Sequence, residues 1–458
     1  RRVKLLRSNK IQQLIDRLEH NFSNNKPFII QRLLSNSKFI QFKINDNNER
    51  RIINGINQIV SNFYQNFFNK VGLIGVEPFI NDVGFPLVDP INYIEVEIAC
   101  MKLNNNRSAG LDGLVGEYFK YGGNELYREL SIIYNNIFIN NQLLDSALDG
   151  ILIPLNKPNK SLLVTNTRPI ILLNMIRKIL SNILYNRIYA IIENHIGKGH
   201  SGFIKGRSSS DIMWSMRYIM AMSQRFNMDF NVVGLDMSKA FDSLDRTKLL
   251  NIFSQLLSVS NIRILRFLLS NTKYTVRIDG ILGEKFNTSI GTPQGDGLSP
   301  LLFVVYLDDA FKQYVRQKNL VLGPLNQIIC YADDSDLINF DNPLEELPIL
   351  FEEYNLKINP DKTEIYNINR NNCKEINIKK LGSKLNVVDD MNYRIASCIS
   401  GFRRMYNIWR NNGISLQIKL RLYNACIIPL LMYNLHCDAF TKVQLDKINA
   451  VQTKQLRI

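Results

Sequence analysis

Residues 230–246 read FNVVGLDMSKAFDSLDR and residues 326–340 read NQIICYADDSDLINF, and these two stretches decide the fold. The first is apolar and β-branched from Phe230 to Leu235 and turns to helical spacing after Phe241, so Asp236 is expected at a strand end. The second runs apolar into Asp333 and Asp334 and apolar out again, the pattern of a tight hairpin with acids at its tip. Carboxylates forced together repel, and one is driven toward protonation unless a cation holds the set ionised. A pair of divalent ions about 3.5 to 4 Å apart supplies that charge wherever phosphoryl groups are transferred between bound oxygens. The competing reading makes Asp333 and Asp334 a solvated turn and Asp236 a helix N-cap.

Working outward, residues 289–311 read SIGTPQGDGLSPLLFVVYLDDAF, an irregular Gly/Pro turn around Pro293 followed by a helix from about Leu298. Upstream lie a strand-like ILIPL at Ile151–Leu155 and an apolar-periodic helix from about Met175 to Glu193. Residues 1 to about 95 read mostly as helices, with Ile11, Leu14, Ile15 and Leu18 at helical spacing, broken by the polar run from Asn45 to Arg50. After Lys379 the pattern is helical again, with basic residues along apolar stripes.

The 458 residues predict two or three packed subdomains, and 45% hydrophobic content is normal for a globular chain. A formal net charge of +15 favours a polyanionic partner. Six single cysteines without a CxxC pair fit a reducing intracellular compartment and no zinc site. No run reaches the roughly 20 apolar residues of a spanning helix, and the opening RRVKLLRSNK lacks the apolar core of a signal peptide, so no membrane partner is expected. Because it starts at Arg1, the chain reads as a piece of a longer polypeptide.

The ordered segments GLDMSKAFDSLD, GTPQGDGLSPLLF and YADD resemble the reverse transcriptases of non-LTR (LINE-type) retrotransposons. The likeness continues upstream in RSAGLDG, LIPLNKPNK, TRPIILLNMIRKILSNILYNRI and HSGFIKGRSSSDIM, and downstream in LKINPDKTEI and KKLGSKL. It implies an α+β right-hand polymerase with an antiparallel palm sheet: a helical N-terminal extension over 1–99, fingers over 100–225, palm over 226–375 and thumb over 376–458. The implied activity is RNA-directed DNA polymerisation by two-metal nucleotidyl transfer onto a primer 3′ end, with target-primed reverse transcription in the complete element. Its cofactor is a pair of Mg²⁺ ions, with Mn²⁺ as a substitute. Its partners are an RNA template, a DNA primer or target, and dNTPs. Its setting is the cytoplasm, with retrotransposition in the nucleus. A group II intron-type maturase and a catalytically inactive RNA-binding scaffold of the same fold are the rival readings.

Residue by residue, the resemblance makes Asp236, Asp333 and Asp334 the catalytic metal ligands, assisted by the backbone carbonyl of Met237, and Lys362 the acid that protonates pyrophosphate. Arg168 grips the triphosphate, with Lys157 or Lys160 adding charge; Phe241 excludes a 2′ hydroxyl; Gln294 and Gly295 contact the incoming nucleotide. Gly206 and Arg207, with Gly202 and Phe203, form a template-strand loop, and Leu381 and Gly382 form the primer-grip hairpin. Arg394, Arg403, Arg404, Arg410, Lys419 and Arg421 follow nucleic-acid phosphates. Two departures stand out: Ser335 where the family carries an aliphatic residue, and His200 where it carries glutamine. Asp308, Asp309 and Asp336 are read as structural.

Overall fold

A computed structural model describes residues 53–69, 86–140, 147–158, 163–270, 272–323, 327–372 and 377–457. The helices expected from Ile11 to Leu18, the polar break at Asn45–Arg50, and Lys160 lie outside the described residues. In chain order the strands are β1 (Gly150–Asn156), β2 (Thr167–Leu173), β3 (Phe230–Leu235), β4 (Lys273–Ile278), β5 (Ile281–Asn287), β6 (Gln327–Tyr331), β7 (Asp334–Ile338), β8 (Glu364–Ile368), β9 (Lys379–Lys380) and β10 (Ser383–Lys384).

The expected acidic strands build one four-stranded sheet in the order β6-β7-β3-β8. β6 and β7 form the anticipated hairpin, and β3 lies antiparallel to β7. Phe230, Val232, Val233 and Leu235 are all buried, which is why β3 reads as a nearly unbroken apolar run instead of alternating. One core packs Val233, Leu235 and Leu337 against Ile179, Ile183 and Ile188 of the helix Met175–His195 and against Phe303, Tyr306 and Leu307 of the helix Ser299–Gln317. Each such side chain, fully buried, contributes about 1.5 to 3 kcal/mol.

The second sheet runs β2-β1-β4-β5, with β1 antiparallel to β2 and parallel to β4. The helix Ile53–Phe68 lays Val60, Tyr64 and Phe68 on it, against Leu152, Ile171, Tyr274 and Phe286. That helix is thus an integral layer of the sheet carrying Arg168.

The chain forms two compact units. One contains the described residues up to Ser208 and Phe230–Asn367; the other contains Ser209–Asp229 and Ile368–Ile458. In the second, the helix Ser209–Phe226 carries Arg217, whose guanidinium meets Asp390 at 3.0 Å and Asp438 at 2.6 Å in the interior. Burial raises the Asp438 carboxyl to about 6 against the pull of Arg217. The β9-β10 hairpin turns at Leu381 and Gly382, both with positive φ (47° and 79°), the signature of a type I′ turn. Arg394 is buried and donates to Gly382 O and Ser383 Oγ; the structure therefore corrects its reading as a phosphate contact, because its guanidinium braces this turn. Arg403 and Arg404 are exposed at the end of the helix Val387–Arg404.

No helix among the described residues is long and apolar enough to cross a membrane. Ser335, the first departure from the family pattern, is 2% exposed between β3 and β6, and its hydroxyl meets no hydrogen-bond partner among the described residues. Ser335→Ala is expected to stabilise the protein by about 1 kcal/mol, seen as a higher denaturant midpoint at unchanged slope. A lower midpoint would contradict this.

Candidate active site

β3 pairs Leu235 with Ser335 in register, so the next rung sets Asp236 opposite Asp334 at the open end of the sheet. Directly opposed residues of an antiparallel pair have Cβ atoms about 4.5 to 5.5 Å apart. β6 and β7 pair Tyr331 with Asp334, which leaves Ala332 and Asp333 as a two-residue turn. Ala332 takes φ +57°, a conformation that L side chains adopt at a cost and that a two-residue hairpin demands at its first central position. The turn is held from the side by residues 199–202. Ser201 N donates to Cys330 O and Cys330 N to Gly199 O, and a Cβ on Gly202 would stand 2.3 Å from Ala332 N, so only glycine fits there. His200, the second departure, is buried in this edge and meets Asp308 at 3.2 Å, a structural role for both residues.

Asp236 turns its carboxylate to Lys362, whose Nζ lies 2.8 Å from Oδ2, and Asn359 Nδ2 donates to the same oxygen at 3.3 Å. Asp236 O and Ser238 N bond to Asn359 N and Lys357 O. Alternation along an extended strand therefore points the Met237 carbonyl to the opposite side, that of the β7 hairpin. Among the described residues no three acidic, histidine or cysteine side chains are gathered closely enough to hold a metal ion as they stand. The donor chemistry nevertheless suits a hard cation: carboxylates of Asp236, Asp333 and Asp334 are carried at one sheet end, with the Lys362 ammonium on Asp236 supplying positive charge there. Burial raises the Asp333 carboxyl above its usual range, and the Asp236 charge raises it further; its own backbone N–H, Arg168 and Lys362 pull the other way.

The turn after β5 is built into the same region. Arg246, 2% exposed, donates to the carbonyls of Gly291, Leu269, Thr288 and Ile290 and to Thr288 Oγ1, which fixes residues 288–291. Burial lowers its guanidinium to about 10. Asp296 accepts from Ser181 Oγ at 2.9 Å and lies 3.7 Å from Arg177, tying the far side of the turn to the helix Met175–His195. Between them Ile171 N of β2 donates to Gln294 O at 2.7 Å, and Gln294 Nε2 donates to both oxygens of Asp242 at 2.8 Å. Gly295 is exposed beside β2. Arg246, Asp296 and Asp242 escape a reading of the sequence because their partners are backbone groups or lie far along the chain.

Phe241 is half-buried, packed against Phe303 with ring centroids 4.4 Å apart and tilted by 32°, and met edge-on by Phe203 at 6.1 Å. Arg168 is exposed on β2 and feels Asp333; Lys157 acts on Asp242 and Lys239. Gly206 takes a positive φ of 74°, and Arg207 spends Nη1 on the carbonyls of Gly197, Lys198 and His200, which shapes its own loop. Asp236, Asp333, Asp334, Met237, Lys362 and Arg168 are thus brought together, and Gln294 joins Phe241's helix through Asp242. Leu381, Gly382, Arg403 and Arg404 belong to the other compact unit.

A model of the family described as reverse transcriptase (RNA-dependent DNA polymerase) matches residues 155–385. The RNA-directed DNA polymerase from mobile element jockey of Drosophila funebris is 24% identical over 409 residues, 81% of this chain and 44% of that one. The transposon TX1 149 kDa protein of Xenopus laevis is 25% identical over 300 residues, 61% of this chain and 22% of that one. A probable RNA-directed DNA polymerase from transposon BS of Drosophila melanogaster is 26% identical over 298 residues, 60% of this chain and 32% of that one. The chain spans less than half the length of each of these relatives.

Asp333 carries a raised pKa, so between the usual 3.8 and that raised value the folded protein binds a proton the unfolded chain does not, and stability falls as pH rises through this window. Lys362→Ala and Arg168→Ala are each expected to raise the Asp333 pKa further, read by NMR titration of labelled aspartate carboxyls. An unmoved titration in both variants would contradict the electrostatic link.

Proposed function

Because the chain belongs to the reverse transcriptase (RNA-dependent DNA polymerase) family, we propose that it extends a DNA primer 3′ end along an RNA template with dNTPs. The single observation that carries this reading is the β3–β7 register, which opposes Asp236 to Asp334 beside Asp333, Lys362 and Arg168.

In this reading Asp236, Asp333 and Asp334 hold two Mg²⁺ ions, with the Met237 carbonyl as a further oxygen donor, and Mn²⁺ substitutes. When bound, the ions lower the pKa of the primer hydroxyl and take up charge on the departing pyrophosphate. Lys362 carries a proton at Nζ close to that charge and serves as the general acid; its contact with Asp236 keeps the ammonium on station between turnovers. Arg168 offers a planar fork of N–H donors to the triphosphate, and Lys157 adds charge from the loop after β1. Gln294 and Gly295 meet the nucleotide. Phe241, wedged between Phe303 and Phe203, is held too rigidly to yield to a 2′ hydroxyl. The loop with Gly206 and Arg207 takes the template strand, the Leu381–Gly382 turn steadies the primer end, and the exposed Arg403 and Arg404 follow the duplex through phosphates.

The proposed division is an N-terminal extension over 1–99, fingers over 100–225, palm over 226–375 and thumb over 376–458. In the complete element the enzyme copies its own transcript by target-primed reverse transcription, acting in the nucleus after assembly in the cytoplasm.

Extension of a DNA primer on an RNA template in Mg²⁺ is expected to fall about 1000-fold or more in Asp333→Asn, the loss of several kcal/mol of charge stabilisation. Equal product from both proteins would end this mechanism. Phe241→Ala is expected to admit ribonucleotides while retaining extension with dNTPs, measured as the ratio of kcat/KM values; an unchanged ratio would remove Phe241 from the gate.

A further inference from the structure

Resting on the reading of Gln294 as a nucleotide contact, we propose that Asp242 is a positioning residue of the nucleotide pocket. Its buried carboxylate locks the Gln294 amide in one of two orientations, so that Nε2 is held inside the protein and Oε1 alone is left to meet the nucleotide.

Both oxygens of Asp242 accept from Gln294 Nε2 at 2.8 Å. An ionised carboxylate can only accept, so it tolerates the NH₂ end of the amide and rejects the carbonyl end. Gln294 is half-buried and its Oε1 has no partner among the described residues, so the acceptor end is the one available to a ligand. The backbone around the pair leaves little play. Thr292 N donates to Phe241 O at 3.0 Å and Gly291 N to Leu244 O at 2.8 Å, while Ile171 N holds Gln294 O. Gly291, at φ +74°, approaches so closely that a Cβ there would stand 2.5 Å from Asp242 O. Two segments 52 residues apart are thus zipped together, with the amide as the one rotatable piece between them.

The carboxylate is an expensive group to keep in this place. Asp242 is 3% exposed and has no ion pair among the described residues. Lys239, its neighbour, directs its ammonium over the rings of Phe67 at 4.0 Å and Phe63 at 5.2 Å. The groups facing Asp242 are Lys239 on its own segment, Lys157 after β1, Tyr64 from the helix Ile53–Phe68 and Tyr274 from β4. Burial pushes its carboxyl up to about 7, with Gln294, Lys239 and Lys157 pulling back. Because the folded pKa lies above the ordinary 3.8, the folded protein gains stability as pH falls through about 7 and is penalised above it.

Steady-state extension is measured for the wild type, Asp242→Leu, Asp242→Asn and Gln294→Ala, and for each Asp242 variant combined with Gln294→Ala. Asp242→Leu is expected to raise the dNTP KM roughly tenfold, the worth of one oriented hydrogen bond, with kcat within about twofold. Asp242→Asn accepts either amide orientation, so its KM rises only about two- to threefold. It also removes the buried charge, so at pH 8 its thermal midpoint stands at or above that of the wild type. In the Gln294→Ala background neither variant raises KM further. The wild-type KM rises as pH is lowered from about 8 to 6, when a protonated Asp242 can donate, and that of Asp242→Leu does not. Should Asp242→Leu fail to fold, the Asp242→Asn cycle and its thermal midpoint carry the test.

If Gln294→Ala raises KM while both Asp242 variants leave it unchanged, or if the effects multiply independently with a lowered midpoint, Asp242 is a loop strut and the proposal is overturned. If Gln294→Ala leaves KM unchanged, the reading of Gln294 itself fails and takes the clamp with it.

Discussion

Like-charge repulsion at one end of a sheet sets the terms for the rest of this molecule. β3 is a mostly apolar strand, β7 packs Leu337 and Ile338 beside it, and the two are locked in a register that carries Asp236 and Asp334 to opposed positions with Asp333 on the adjacent turn. The sheet cannot slip to relieve the repulsion, because a one-residue shift would turn every side chain to the opposite face and unpack the core on both sides. Lys362 and Arg168 are the counter-charges the chain itself provides, and they pull against the burial and the Asp236 charge that raise the Asp333 carboxyl. Core packing thus holds carboxylates at an accessible edge, a donor set suited to hard cations.

The surrounding loops gain their shape from buried groups with backbone partners. Arg246 gathers three carbonyls of the turn after β5 and that of Leu269 at the end of the helix Val259–Leu269, Asp296 ties the turn to the helix Met175–His195, and Arg207 braces the loop beside it. Such groups are costly to bury and costly to remove, so they specify one loop conformation where alternatives would otherwise compete. The two aromatic neighbours of Phe241 do the same by contact, and the Asp242–Gln294 pair extends the principle from loops to a single side-chain amide.

What the sequence made legible follows from periodicity. The strand into Asp236, the hairpin around Asp333 and Asp334, the strand at Ile151–Leu155 and the long helix from Met175 all carry local patterns that fix their type. The turn at Leu381–Gly382 and the α+β class with its antiparallel acidic sheet are what the family resemblance implies. The role of Arg394 is hidden, because an arginine on an apolar-striped helix has the same local pattern whether its guanidinium faces solvent or a carbonyl at a hairpin turn. Arg246 and Asp242 carry no local signal for the same reason: their partners lie 23 to 52 residues away, and no spacing rule announces them. The partner of Asp236, Lys362, lies 126 residues away.

In the proposed mechanism Asp236 and the Asp333–Asp334 turn form one cation site across the β3–β7 register. A crystal of the protein soaked in Mn²⁺ with a primer-template and a non-hydrolysable dNTP, examined by anomalous diffraction, tests it most directly. Two manganese peaks about 3.5 to 4 Å apart, bounded by Asp236, Asp333 and Asp334 and with Lys362 displaced from Asp236, are the expected result. Peaks elsewhere, or a manganese ion on the hairpin with Asp236 still held by Lys362, would contradict it.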